Sequence, residues 1–173
     1  MALKTFTINN GSANQALVTN GSGVLSFAAV GASAGQVIQV VTATDQTQRS
    51  TGSTSFVTGS NTLSVAITPS SASNKVLALV TGSMAKNTAG AQVWTTIFRA
   101  GTNIGEADFG INGMQADAGV ENQYGAMGMA ILDSPNTTSS TTYDVRFRVA
   151  GSGQALLNIQ GSKSSITLLE VKG

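Results

Sequence analysis

The side chains best suited to chemistry in this sequence are four carboxylates within one short segment, Glu106, Asp108, Asp117 and Glu121. Carboxylate oxygens bind Ca²⁺, and two carboxyl groups can act as the acid and base of glycoside hydrolysis. Their spacing does not follow the D-x-[DN]-x-[DN]-G pattern of calcium loops. Nothing in the sequence shows the substrate platform that a glycosidase pair would need. We interpret the four carboxylates as solubilising a loop, and whether segment 106–121 binds a cation stays open.

The other common catalytic groups are missing from the sequence. It contains no cysteine and no histidine, which excludes thiolate nucleophiles, Cys/His zinc sites and histidine acid–base catalysis. Glycine-rich stretches such as 59–61 and 151–153 lack phosphate-loop spacing and are typical of turns. We predict that the protein is not an enzyme and has no catalytic residue, resident metal or cofactor.

The charge of the chain is low and evenly spread. Charged residues make up 10% of the sequence and the net charge is +1, against about 25% charged in ordinary domains. Arg146 and Arg148 fall on one side of a strand, where a solvated face is favoured over an anion site. We predict neither nucleic-acid binding, which needs clustered basic residues, nor membrane insertion, which needs a long apolar run. A surface of neutral hydroxyl and amide groups suits packing against copies of itself.

Alternating apolar and polar residues predict short strands from residue 37 onward. They occupy 37–43, 54–58, 62–68, 75–84, 92–100, 124–134, 141–150 and two segments near the C-terminus. In 141–150 the inward positions are Tyr143, Val145, Phe147 and Val149. We predict an all-β fold, an antiparallel β-sandwich that is jelly-roll-like, with a short N-terminal extended arm. Little helix is expected beyond a turn near 114–119.

The first 35 residues differ from the remainder. They hold short alternating pieces separated by Gly/Asn/Ser turns, and Asn20-Gly21 is a hairpin dipeptide. We predict an N-terminal arm and linker at 1–35 and a β-sandwich domain at 36–173. Because such short pieces do not fold alone, the arm is expected to attach the protein to a partner or to interlock subunits. Its candidate contact residues are Leu3, Phe6, Ile8, Leu17, Val24 and Phe27.

Two further sets of residues are candidate surface contacts. Trp94 and Tyr124 are aromatic residues that could meet a ligand, although strand aromatics more often lie in a core. Gly125, Met127 and Met129 are unusual in a strand. They indicate either a subunit contact or a bulged core strand, and both interpretations remain open.

Several short segments of the sequence resemble those of one protein family. The order NQALVTNGSGVLSFAAV, then GQVIQVV, ITPSSASNKVLALV and finally ITLLEV is similar to that of bacteriophage tail-fibre and related virion surface proteins, over roughly residues 15–173. The resemblance implies a structural component of a virion, on the tail or head surface, built as a homotrimeric fibre or spike. Its expected partners are copies of itself, other virion proteins and a host-surface glycan. The chain lacks a long shaft, which leaves a capsid decoration (cement) protein as one alternative and a carbohydrate-binding module as another.

Overall fold

The computed structural model describes residues 15–19, 21–115 and 119–173, and the chain divides into two compact units, 1–33 and 34–173. Leu3, Phe6, Ile8 and Asp117 lie outside the described residues, as does the middle of the turn expected near 114–119. Among the described residues, no helix is long and apolar enough to cross a membrane.

The first unit contains a β-hairpin of β1 (Gln15–Thr19) and β2 (Leu25–Ala29), paired antiparallel. Gly21, the second residue of the predicted hairpin dipeptide, follows β1 with the positive φ of 79° that glycine tolerates. Apolar side chains on both faces are exposed, among them Leu17, Val18, Leu25 and Phe27. A lone two-stranded hairpin is marginally stable in water, so these side chains offer contacts that the hairpin itself does not use.

The described residues of the second unit form eleven strands and one short helical turn at Ile159–Gly161. In chain order the strands are β3 (Val37–Asp45), β4 (Arg49–Thr51), β5 (Ser64–Ile67), β6 (Lys75–Lys86), β7 (Gln92–Arg99), β8 (Thr102–Asn103), β9 (Asn112–Met114), β10 (Gln123–Asp133), β11 (Thr141–Ala150), β12 (Ala155–Leu157) and β13 (Ser164–Val171).

These strands form two antiparallel sheets. In the first sheet β13 lies between β3 and β6, β10 pairs with the other side of β6, and β12 and β4 extend the sheet beside the end of β6. In the second sheet β11 lies between β5 and β7, and both β8 and β9 pair with β7. The main strands read β3-β13-β6-β10 in one sheet and β5-β11-β7-β8/β9 in the other. This order, in which the chain crosses repeatedly between sheets, is that of a jelly roll and confirms the predicted fold class.

The core lies between the two sheets. Tyr143, Val145, Phe147 and Val149 are fully buried on β11, which confirms the alternation predicted for that strand. The first sheet contributes the inward side chains of β6, β10 and β13, including Val76, Ala78, Val80, Met127, Met129, Ile166 and Leu168. The strand predicted at 54–58 is wrong. Only Val57 makes a bridge, to Phe147, before Gly59 turns the chain with φ of 55°.

Buried polar groups tie the elements together at two places. Asp133 on β10 accepts hydrogen bonds from the Tyr143 hydroxyl at 2.6 Å and from Arg99 at 2.7 Å, and so joins the two sheets. Burial and the neighbouring Asp133 raise the pKa of Tyr143 well above its ordinary value. Glu170 accepts from the Ser70 backbone N–H and from the Asn74 amide, both at 2.6 Å. Burial alone would raise its pKa, but these hydrogen bonds lower it overall.

Candidate assembly surface

The outward face of the first sheet is a grid of neutral side chains, which we call the outer face. Strand register places Val40, Leu169, Leu77 and Leu132 side by side in one row across β3, β13, β6 and β10. The next row is Thr42, Thr167, Leu79 and Ala130, and the row after it is Thr44, Ser165, Thr81 and Gly128. Ser83 and Ala126 follow as a pair, and Tyr124 occupies the next outward position of β10. Along the strands, the outer face therefore changes from a row of apolar side chains at one end to rows that carry hydroxyl groups towards the other end.

The outer face is exposed although it is largely apolar. Val40 and Leu132 are 58% and 52% exposed. The hydroxyls bond to one another across strands, Thr42 to Thr167 at 3.2 Å and Thr81 to Ser165 at 3.1 Å. None of the grid positions carries a charge, and Lys75 stands only at the rim, opposite Val171. Exposed surfaces that are neutral and largely apolar are typical of contact sites.

The sequence indicated this surface only indirectly. The nearly continuous apolar run at 75–84 is typical of a central strand of a sandwich. The structure buries only one face, because the inward Val76, Ala78 and Val80 reach the core while Leu77 and Leu79 point outward. One sequence signal could have located the outer face. Apolar residues occupy both faces of this strand, and no further helix or sheet was predicted to cover the second face.

The glycine–methionine segment of β10 lies beside this surface. Met127 and Met129 are buried in the core, so these two side chains pack inside the domain. The nearest neighbour of a side chain built at Gly125 would be Met114 of the same chain, at 3.1 Å. A subunit contact at this strand stays a prediction, and the positions that face outward for it are Ala126, Gly128 and Ala130.

Tyr124 stands at the hydroxyl end of the outer face and is 64% exposed. It lines a cavity of about 280 Å³ together with Ser83, Ile159, Gln160 and Ser162. The Ser83 and Ser162 hydroxyls lie 2.5 Å apart, and the Ile159 N–H donates to Ser83 Oγ at 2.9 Å. The lining is neutral, so this cavity suits an uncharged polar group rather than an ion.

The second sheet carries an aromatic and arginine cluster on its outward face. Trp94 is partly buried, and its indole ring lies 5.0 Å from the Phe109 ring. Arg146 pairs with Asp144 at 2.6 Å and lies 3.9 Å above the Phe98 ring. Phe109, not Trp94, therefore presents the more exposed ring here.

Arg148 holds two loops together beside this cluster. Its guanidinium donates to the carbonyl of Thr54 at 2.8 Å and to the carbonyl of Asp108. It lines a cleft of about 420 Å³ whose walls include Phe56 and Phe98. Since Arg146 and Arg148 both bond within the domain, their arrangement favours a structural role over an anion site.

The acidic segment forms a turn in the part that the structure describes. The Glu106 carboxylate accepts hydrogen bonds from the backbone N–H groups of Phe109, at 2.5 Å, and Asp108, at 2.8 Å. These bonds hold the pKa of Glu106 below its usual value. Within the described ranges, no three His, Cys, Asp or Glu side chains are grouped so as to hold a metal ion.

Comparison with known proteins shows a distant likeness of fold. No protein-family model and no curated protein matches the sequence. Among solved structures, the infectious bursal disease virus VP2 subviral particle aligns at a TM-score of 0.45 and 15% identity, over 90% of this chain and 37% of that one. The infectious bursal disease virus Gx strain aligns at 0.43 and 15%, over 90% and 36%. The chain thus spans little more than a third of these viral proteins, and the likeness identifies no shared function.

Proposed function

We propose that this protein is a non-enzymatic structural subunit of a virus particle, a homotrimeric surface fibre or spike that is attached by its N-terminal arm. The observation that carries the proposal is the hairpin of the first unit. Its apolar side chains are exposed, and no charged residue occurs between Lys4 and Asp45. A segment of this kind gains little stability by folding alone, because its apolar side chains and strand edges stay exposed, and it gains more stability by docking on a partner.

The jelly roll and the sequence resemblance give the proposal its viral setting. Jelly rolls occur in viral capsid domains and in lectins, so the fold is compatible with a particle component without requiring one. The resemblance to bacteriophage tail-fibre and virion surface proteins is the reason for assigning the protein to a virus particle. A head decoration protein would use the same arm and the same fold, with other virion proteins as its partners in either case.

The test is to locate and count the protein on purified particles. Quantitative mass spectrometry of the particle should detect it, and gold-labelled antibody should place it. A few copies at the tail support a fibre or spike, whereas hundreds of copies over the head support the decoration alternative. Absence of the protein from purified particles would refute a virion role of either kind.

A carbohydrate-binding function is a second candidate because of the cavity beside Tyr124. An exposed aromatic ring next to hydroxyl and amide groups is a common arrangement for a sugar. On this proposal a host-surface glycan would bind at Tyr124, and Tyr124→Ala would abolish binding on a glycan array while Trp94→Ala would not. Glycan binding that survives Tyr124→Ala would refute this site.

A further inference from the structure

We infer that the outer face of the first sheet is a self-association surface, covered in the assembled protein by other copies of this chain. The inference deepens the proposed function, on which it rests for its biological setting, by naming the surface that joins the subunits. It is carried by the strand register that puts apolar and hydroxyl side chains, and no charge, on one exposed face.

The chemistry of the outer face fits a copy of itself. A patch with charge of one sign repels an identical patch, whereas apolar groups are indifferent to which surface covers them. Hydroxyls act as donor and as acceptor, so Thr42, Thr81 and Ser165 can bond to the same residues of another copy. In an association between identical chains, this face therefore leaves no buried group without a partner of suitable type.

The size of the outer face also suits an interface. The fifteen outward positions of the grid, each taking about 4.8 Å across the strands and about 6.8 Å along them, give a projected area of roughly 500 Å². A standard interface takes about 800 Å² of accessible surface from each partner. Side-chain relief raises the accessible area of the outer face above this projected value.

The apolar side chains of the outer face are the ones that burial against another surface would stabilise most. Val40 and Leu132 of the apolar row and Leu79 of the next row come from three different strands and are exposed on the same side of the sheet. Such a group on a monomer would favour aggregation. Covering it by a symmetric contact removes the exposed row while keeping the chain soluble.

The experiment compares two matched variants of the full-length chain, Ala130→Lys and Ala66→Lys. Both alanines are exposed and point outward from edge strands, Ala130 from β10 on the outer face and Ala66 from β5 on the second sheet. Burying an unpaired lysine is strongly unfavourable, so Ala130→Lys should raise the dissociation constant about 100-fold or more. Analytical ultracentrifugation across micromolar concentrations measures it, with circular dichroism to verify folding.

The expected result is an oligomeric wild type, an oligomeric Ala66→Lys and a dissociated Ala130→Lys. A monomeric wild type, or equal association of the two variants, would overturn the inference. If Ala130→Lys does not fold, hydroxyl-radical footprinting of the wild type decides the question. Leu79 and Leu132 should become protected as the concentration rises, and unchanged labelling counts against the surface. An oligomer that is absent from virus particles would refute the proposed function and leave this surface standing.

Discussion

Removing the Tyr143 hydroxyl tests how the two sheets are joined. In Tyr143→Phe the ring still fills the same fully buried space, so the change deletes one hydrogen bond and creates little cavity. The lost bond is the one donated to the Asp133 carboxylate at 2.6 Å. Arg99 still holds that carboxylate at 2.7 Å, so the charge is not left alone.

The magnitude follows from the kind of bond that is lost. A hydrogen bond to a charged group contributes about 1.5–3 kcal/mol. We expect Tyr143→Phe to lower the free energy of unfolding by about 2 kcal/mol. For a domain of this size, that corresponds to a fall in Tm of roughly 4–8 °C.

The pH dependence provides a second and sharper signature. The pKa of Tyr143 is raised in the folded state by burial, and further by the hydrogen bond to Asp133 and its charge. Its contribution is therefore fully present below the unfolded tyrosine pKa of about 10 and declines above it. The difference in stability between wild type and Tyr143→Phe should shrink between pH 10 and pH 11.

Urea unfolding monitored by circular dichroism, at pH 7 and at steps up to pH 11, measures both effects. The matched control is Tyr124→Phe, which removes a hydroxyl from a ring that is 64% exposed and should change stability little. The reasoning is refuted if Tyr143→Phe is as stable as the wild type. It is also refuted if the stability difference stays constant from pH 7 to pH 11.

Other predictions concern carboxylates and a turn. Glu170→Gln should make stability depend less on pH in the acid range. Folding lowers the pKa of Glu170, so the stability that this carboxylate contributes is present above about pH 4.3 and is lost as pH falls. Urea titrations that show the same acid dependence in variant and wild type would contradict this. Asp45→Asn should act in the same sense below about pH 4, since hydrogen bonds lower the pKa of Asp45 despite its burial; equal acid sensitivity of variant and wild type would argue against it. Gly110→Ala should destabilise by about 2 kcal/mol or more because φ is 67° and a methyl group would meet the Thr95 backbone. Gly90→Ala, at a similar φ of 74° but with no heavy atom within 4 Å of the added methyl group, is the control in the same thermal melts, and comparable losses would show that crowding at Gly110 is unimportant.

Much of the fold could be predicted from periodicity. Alternation along β11 correctly separated Tyr143, Val145, Phe147 and Val149 from the charged residues between them. The Asn-Gly dipeptide correctly predicted the hairpin of the first unit. The predicted strand at 54–58 failed because alternation reports side-chain faces and not the availability of a neighbour. Within that segment only Val57 makes a strand bridge, to Phe147.

The structure places the candidate contact residues in different environments. Tyr124 is exposed, whereas Trp94 is partly covered by a loop that carries Phe109. Met127 and Met129 entered the core because their alternation in β10 matches the inward face. The contribution of the arm residues to assembly stays a prediction.

By itself the sequence determined the fold class, the absence of thiol and imidazole chemistry, and a stretch without charged residues from 5 to 44, because composition and local alternation express these directly. Only the tertiary structure decided that Val40, Leu77, Leu132 and Leu169 form one row. These four residues come from distant parts of the chain, and strand register, which depends on long-range pairing, brings them together. The same register left that row exposed, and from this exposure we inferred where the copies of the chain meet.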